Sequence, residues 1–203
     1  MGRGLSALTC ALFISVGCTR GLRPSVEAPL TAGAPLSFRA ALVVDQALLS
    51  RTDTYGSFHT LGGSNTWVCQ TGVGLVPALE VMLRATFVEV EVVAAASQVK
   101  GADVVVVAQV VELRHIPERD GFWIAFKLHA VASDASGPRL DQSYAVIEEG
   151  STLRAVMGAG TGMGADAALL RPTERAMARA LLDLARDLRT TFEQPPPTAV
   201  PPI

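Results

Sequence analysis

The run Gly101-Ala-Asp-Val-Val-Val-Val-Ala-Gln-Val-Val-Glu-Leu113 decides how this chain folds. From Val104 to Val111 nearly every residue is apolar, and most are β-branched. A half-exposed strand alternates apolar and polar residues, whereas a strand covered on both faces reads as one apolar run. Asp103 to Leu113 is therefore predicted to be the central strand of a sheet, with helices or another layer on both sides.

Working outward, Pro117-Glu-Arg-Asp-Gly121 reads as a hairpin connection, with Asp-Gly as its turn signal. The next strand runs Phe122 to Ala132, with Phe122, Ile124, Phe126, Leu128 and Ala130 on one face and Trp123, Lys127 and His129 on the other. Ser133 to Pro138 turns the chain and Arg139 to Glu148 returns it, so the centre is an antiparallel meander. On the N-terminal side, Phe87 to Val93 alternates: Val88, Val90 and Val92 against Glu89 and Glu91. That predicts a strand with one wet face. Thr71 to Pro77 opens a helix whose Leu75, Leu79, Met82 and Leu83 follow helical spacing, with Pro77 in its first turn. Phe38 to Asp45 is a short apolar strand. Gln46 to Gln70 is polar with isolated aromatics, and one short strand is expected near Thr66–Gln70. A last helix begins at Arg171-Pro-Thr-Glu-Arg175, with Pro172 near its first turn. Met177, Leu181, Leu184, Leu188 and Phe192 form its apolar stripe. The predicted class is α+β, an α/β sandwich: a mixed, largely antiparallel sheet of four to five strands with two main helices packed on it.

With 203 residues, 49% of them hydrophobic and 18% charged, the chain has room for one domain with a sizeable core plus tails. A net charge of −2 argues against nucleic acid as a partner. Only Lys100 and Lys127 are lysines, so no polybasic patch for anionic lipid exists. Three cysteines (Cys10, Cys18, Cys69) are too few and too scattered for a disulfide framework or a zinc site. Cys69 reads as a buried, inert thiol, with an intermolecular disulfide as the sharper alternative.

Met1 to Gly17 has the anatomy of a signal peptide: Arg3 supplies the positive start and Leu5–Val16 the apolar core. It ends Ile14-Ser15-Val16-Gly17-Cys18, which resembles the bacterial lipobox. The resemblance implies cleavage before Cys18 and lipidation of Cys18, palmitate included, and Ser15 stands where that family usually has Leu. Ser15 and Gly17 also satisfy the small-x-small rule of ordinary signal peptidase, which would give a protein secreted to the periplasm. Thr19, in place of an aspartate, implies by resemblance to enterobacterial lipoproteins the outer membrane. Residues 18–36, with Pro24, Pro29 and Pro35, read as a flexible tether. The single domain spans 37–194, and 195–203 is a proline-rich tail.

No catalytic motif is present. Gly-x-Ser-x-Gly and His-Glu-x-x-His are missing, and His59, His115 and His129 are scattered. His115 beside Glu112 and Glu118 is the best candidate for a metal or acid/base site, although a strand-end histidine near surface carboxylates is ordinary. Gly158, Gly160, Gly162 and Gly164 alternate, but no Gly-Lys-Ser/Thr follows, so a flexible loop is the better reading than a phosphate cradle. No cofactor and no metal are expected, and an enzyme is not.

The order of elements, together with the lipobox, resembles the outer-membrane lipoproteins of the curli-secretion and penicillin-binding-protein-activator kind. The residues carrying the likeness are Val73–Arg84, Phe87-Val-Glu-Val90 and Gly101-Ala-Asp103. The resemblance implies a non-enzymatic accessory domain, tethered to the outer membrane, facing the periplasm and assisting an envelope protein complex. The candidate partner-binding residues are Trp123, Lys127 and His129 on the meander and Tyr55, Phe58 and Trp67 in the polar segment. The alternative is a periplasmic carrier of a small apolar ligand or lipid; homo-oligomer formation is left open.

Overall fold

The meander expected around Val104–Val111 forms, and its strands run longer than their apolar cores. The computed structural model describes residues 18–28, 33–60, 63–118, 121–151 and 164–194. The signal segment, the proline tail, Asp120 of the expected Asp-Gly turn and glycines 158–162 lie outside the described residues. In chain order the elements are β1 (Cys18–Leu22), β2 (Leu36–Val43), α1 (Gln46–Leu49), β3 (Asp53–Thr60), β4 (Gly63–Cys69), α2 (Thr71–Thr86), β5 (Phe87–Val93), β6 (Val104–Pro117), β7 (Gly121–Asp134), β8 (Gly137–Ser151) and α3 (Gly164–Glu193). They make a five-stranded sheet of order β5-β2-β6-β7-β8 and a three-stranded sheet of order β1-β4-β3. In the large sheet β2 is parallel to both β5 and β6, while β6, β7 and β8 are antiparallel. The class is α+β, as expected.

The run that decided the fold is covered on one face only. Val104, Val106, Ala108 and Val110 point into the core, while Val107, Gln109 and Val111 are exposed. The strand enclosed on both faces is β2, where Ala40, Ala41, Leu42 and Val43 are all buried. Chain topology explains the difference. From β2 the chain reaches β5 through α2, then steps back over β2 to β6. Right-handed crossovers in opposite directions lie on opposite faces of a sheet. The first puts α2 on the inner face. The second, residues 94–103, crosses the outer face beside β2, where Lys100 N donates to Glu91 Oε1 (3.4 Å) and Arg39 and Asp103 bond reciprocally (Arg39 N to Asp103 Oδ2, 2.8 Å; Asp103 N to Arg39 O, 2.8 Å). The crossover ends there, so among the described residues β6, β7 and β8 keep an open outer face.

α2 and α3 cover the inner face. Leu75, Leu79, Met82 and Leu83 of α2 and Met177, Leu181, Leu184, Leu188 and Phe192 of α3 are all buried, as their spacing predicts. Both helices start earlier, relative to their prolines, than the sequence suggests. Pro77 lies in the second turn of α2 and Pro172 well inside α3. In the same turn the Thr173 hydroxyl donates to the Leu169 carbonyl (2.9 Å). Gly72 is required by a close approach: a Cβ there would overlap the carbonyl oxygen of Leu48.

Two expectations fail in the N-terminal third. Residues 46–70 hold a short helix and a full hairpin, β3–β4, rather than one short strand. The start of the expected tether is built into the domain: β1 pairs in parallel with β4 from Cys18↔Asn65 to Leu22↔Cys69, and Leu22 is buried. β1 carries almost no apolar pattern because its attachment is a backbone ladder, which composition does not reveal.

Candidate functional site

Strict alternation in β7 turns Phe122, Ile124, Phe126 and Leu128 inward and Trp123, Lys127 and His129 outward, half-buried among their neighbours. Register sets those neighbours. Trp123 lies between Ile116 and Glu149, Lys127 between Glu112 and Ala145, and His129 between Gln109 and Ser143. The His129 ring is held by Ser143 Oγ (3.3 Å, to Nδ1) and Asp141 Oδ1 (3.5 Å, to Nε2). The three share the outer face of β7, as the alternation predicts.

Three exposed aliphatics share the outer surface of these strands: Val107 at 42%, Val111 at 48% and Ile147 at 61% exposure. Val111 faces outward by simple alternation from the buried Val110, and the register between β6 and β7 slips at this point, between Val110 and Glu112. One residue more on β6 than on its partner is a β-bulge, and it re-aims side chains. It keeps Glu112 outward, opposite Lys127, and returns Leu113 to the core opposite Phe126. The bulge could not be read from the sequence, where Val110 and Val111 are identical.

The other three candidates separate from this face. Tyr55 and Trp67 are buried, at 4% and 3% exposure, and act as packing rather than as surface anchors. Tyr55 donates to Thr173 Oγ1 (2.7 Å), and the Arg20 guanidinium sits 5.2 Å over the Trp67 ring. Burial first, then the charge and hydrogen bond of Cys69, pushes the Tyr55 hydroxyl far above the usual phenol range. Phe58 lies in β3 opposite Asn65, and its side chain is outside the described residues.

Cys69 is fully buried. Burial pushes its thiol up, with hydrogen bonds from Tyr55 and Thr71 pulling back. A buried thiol that resists ionisation is neither a nucleophile nor within reach of another chain, so the intermolecular disulfide is excluded. His115 packs against the ring of Phe122 (4.8 Å between centroids), and burial lowers its pKa. That is a half-buried histidine packed against an aromatic ring. Among the described residues no group of three or more His, Cys, Asp or Glu is placed to hold a metal ion.

On the helical side, Glu148 bridges Arg175 (3.0 Å) and Arg179 (2.6 Å). Burial raises the Glu148 carboxyl, but the two guanidiniums outweigh it and hold the group below the usual carboxylate range. Arg139 binds Asp134 (2.9 Å) and the Thr191 carbonyl (3.0 Å), fixing the β7–β8 turn to the end of α3. A cleft of about 390 Å³, open to solvent, lies between Phe38, Arg139 and Phe192. No helix among the described residues is long and apolar enough to cross a membrane.

No family model and no curated protein sequence matches the chain. Among solved structures, a Xanthomonas campestris protein of the DUF330 family is similar at 13% identity and TM-score 0.58, covering 86% of this chain and 97% of that one. At that identity the likeness shows the fold alone. A hypothetical protein of Chlamydia trachomatis (10% identity, TM-score 0.47, 77% and 98% covered) and a candidate lipoprotein of Caulobacter crescentus (16% identity, TM-score 0.38, 61% and 84% covered) are more distant and carry no argument.

Proposed function

We propose that this chain is an accessory lipoprotein of the bacterial envelope, anchored through Cys18 on the periplasmic face of the outer membrane. It binds a protein of an envelope complex through the outer face of β6, β7 and β8 and assists that complex's assembly or activity without catalysing a reaction. One observation carries the reading. The Val104–Val111 run has the composition of a strand covered on both sides, yet the described residues cover one. Val107, Val111 and Ile147 stand exposed along that face between polar neighbours, and a partner's layer would complete their burial. Trp123 and the aliphatic stems around Lys127 give that surface an apolar body with polar tips, the make-up typical of interface anchors. The likeness of the element order to the curli-secretion and penicillin-binding-protein-activator lipoproteins points the same way.

The test is a paired substitution, Val107→Lys with Ile147→Lys, in the full-length chain. The expected outcome is loss of the envelope protein that co-purifies with the wild type, with the melting temperature unchanged and membrane attachment intact. Separately, Cys18→Ala should release the domain from the membrane fraction. A doubly substituted chain that keeps its partner contradicts the docking face.

A further inference from the structure

The chain following Cys18 has no slack. β1 pairs with β4 from its first residue, Cys18↔Asn65, to Leu22↔Cys69. Beyond the strand, Gln70 N donates to the Leu22 carbonyl (2.8 Å) and Ser25 N to Glu174 Oε1 (2.7 Å). Pro24 is buried, and a Cβ on Gly74 of α2 would collide with its carbonyl. These residues belong to the domain and cannot serve as a leash.

Their place along the molecule is also fixed. The Arg20 guanidinium lies 4.0 Å from Asp166 at the start of α3. At the other end, Arg139 ties the Asp134–Gly137 turn to Thr191. From Asp166 to Thr191 the helix rises about 38 Å at 1.5 Å per residue. β8 runs antiparallel to it, with Glu148 at Arg175, Tyr144 at Asp187 (3.0 Å) and Arg139 at Thr191. The molecule therefore has a Cys18 end and a far end.

We propose that the Cys18 end is held directly against a lipid surface, with α3 pointing away from it and the Asp134–Gly137 turn at the far end. This rests on the reading of Cys18 as the acylated residue. Each extended residue spans about 3.3 Å, so acyl chains on residue 18 keep Arg20 within about 10 Å of the headgroups. Register brings the outer end of the β3–β4 pair to the same place: Phe58 and Cys18 both pair with Asn65, and the pair Thr60↔Gly63 lies beyond them. The surface it fits is zwitterionic lipid. Among the described residues at this end Arg20 and Asp166 neutralise one another, whereas attraction to anionic lipid takes clusters of four to eight Lys/Arg. The outer face of β6, β7 and β8 then stands lengthwise on the membrane, open to a partner from the side.

The experiment places a thiol-reactive fluorophore at Thr60→Cys or at Ala135→Cys in the full-length acylated chain, reconstituted into phosphatidylcholine vesicles containing a headgroup-attached quencher. Cys69 is buried and takes no label. The expected result is quenching at 60 and none at 135, unchanged by added phosphatidylglycerol. Inserting about ten Gly/Ser residues between Cys18 and Thr19 restores a flexible linker and should abolish the difference. Equal quenching at both sites, or none at either, in a sample whose mass shows the acyl chains overturns the orientation and leaves the anchor standing. An unmodified Cys18 in the same mass measurement overturns the anchor, and the orientation with it.

Discussion

Val106 and Val107 are adjacent and identical in sequence, yet one is fully buried under the helices and the other is 42% exposed on the outer face. The two faces of the β6–β7–β8 sheet differ in this way along their length. The inner face is a packed core closed by α2 and α3. The outer face carries aliphatics of the same kind with no layer above them among the described residues. The comparison separates two roles for apolar residues: those inside hold the fold, and those outside are free to serve binding. Substitutions on the two faces should therefore separate stability from partner capture.

The largest expected effect lies on the inner face. Leu128→Ala empties a fully buried site and should cost about 3 kcal/mol in urea unfolding. A loss no greater than that of an outer-face substitution would break the distinction. Next, Gly72→Ala forces a methyl group into the carbonyl of Leu48 and should cost about 2 kcal/mol. Glu148→Gln removes the common partner of Arg175 and Arg179. It should cost about 1 kcal/mol at neutral pH. The Glu148 pKa is depressed on folding, so its contribution is present above the ordinary glutamate range and is lost as pH falls from there through the lower folded-state pKa. The variant and the wild type should therefore converge in acid.

His115 gives a smaller, pH-dependent effect of the opposite origin. Burial lowers its pKa on folding, so below about pH 6.5 the unfolded chain binds a proton that the folded one resists. Stability should fall as pH drops through that range, and His115→Gln should flatten the slope in denaturant titrations at several pH values. Smallest of all, Val107→Ser or Ile147→Ser should move stability by less than about 0.5 kcal/mol. A large loss there would mean that the outer face is already part of the core.

Much of the inner face was legible in the sequence. Spacings of three and four gave the stripe of α3, and alternation gave both faces of β7, including the cluster of Trp123, Lys127 and His129. The coverage of β6 was not legible, because a continuous apolar run has the same composition whether its second layer comes from its own chain or from another. The strand covered on both faces, Ala40–Val43, is too short and too alanine-rich to announce itself. β3 and β4 hid behind Gly, Ser, Thr and Asn, since their pairing is carried by the backbone and by a few buried aromatics. Tyr55 and Trp67 read as exposed anchors because polar neighbours surround them in sequence, while in space they face α3 and the guanidinium of Arg20. The early start of α3 was masked by Pro172, whose usual meaning is a first turn.

The outer face is tested most directly by in-cell photo-crosslinking. A photoreactive amino acid is placed at Val107 and, as a control of the same residue type and similar exposure (49%), at Val81 on α2. The expected result is one envelope protein joined to position 107 and none to position 81. Crosslinking of that protein at 81 and not at 107 would contradict the docking face.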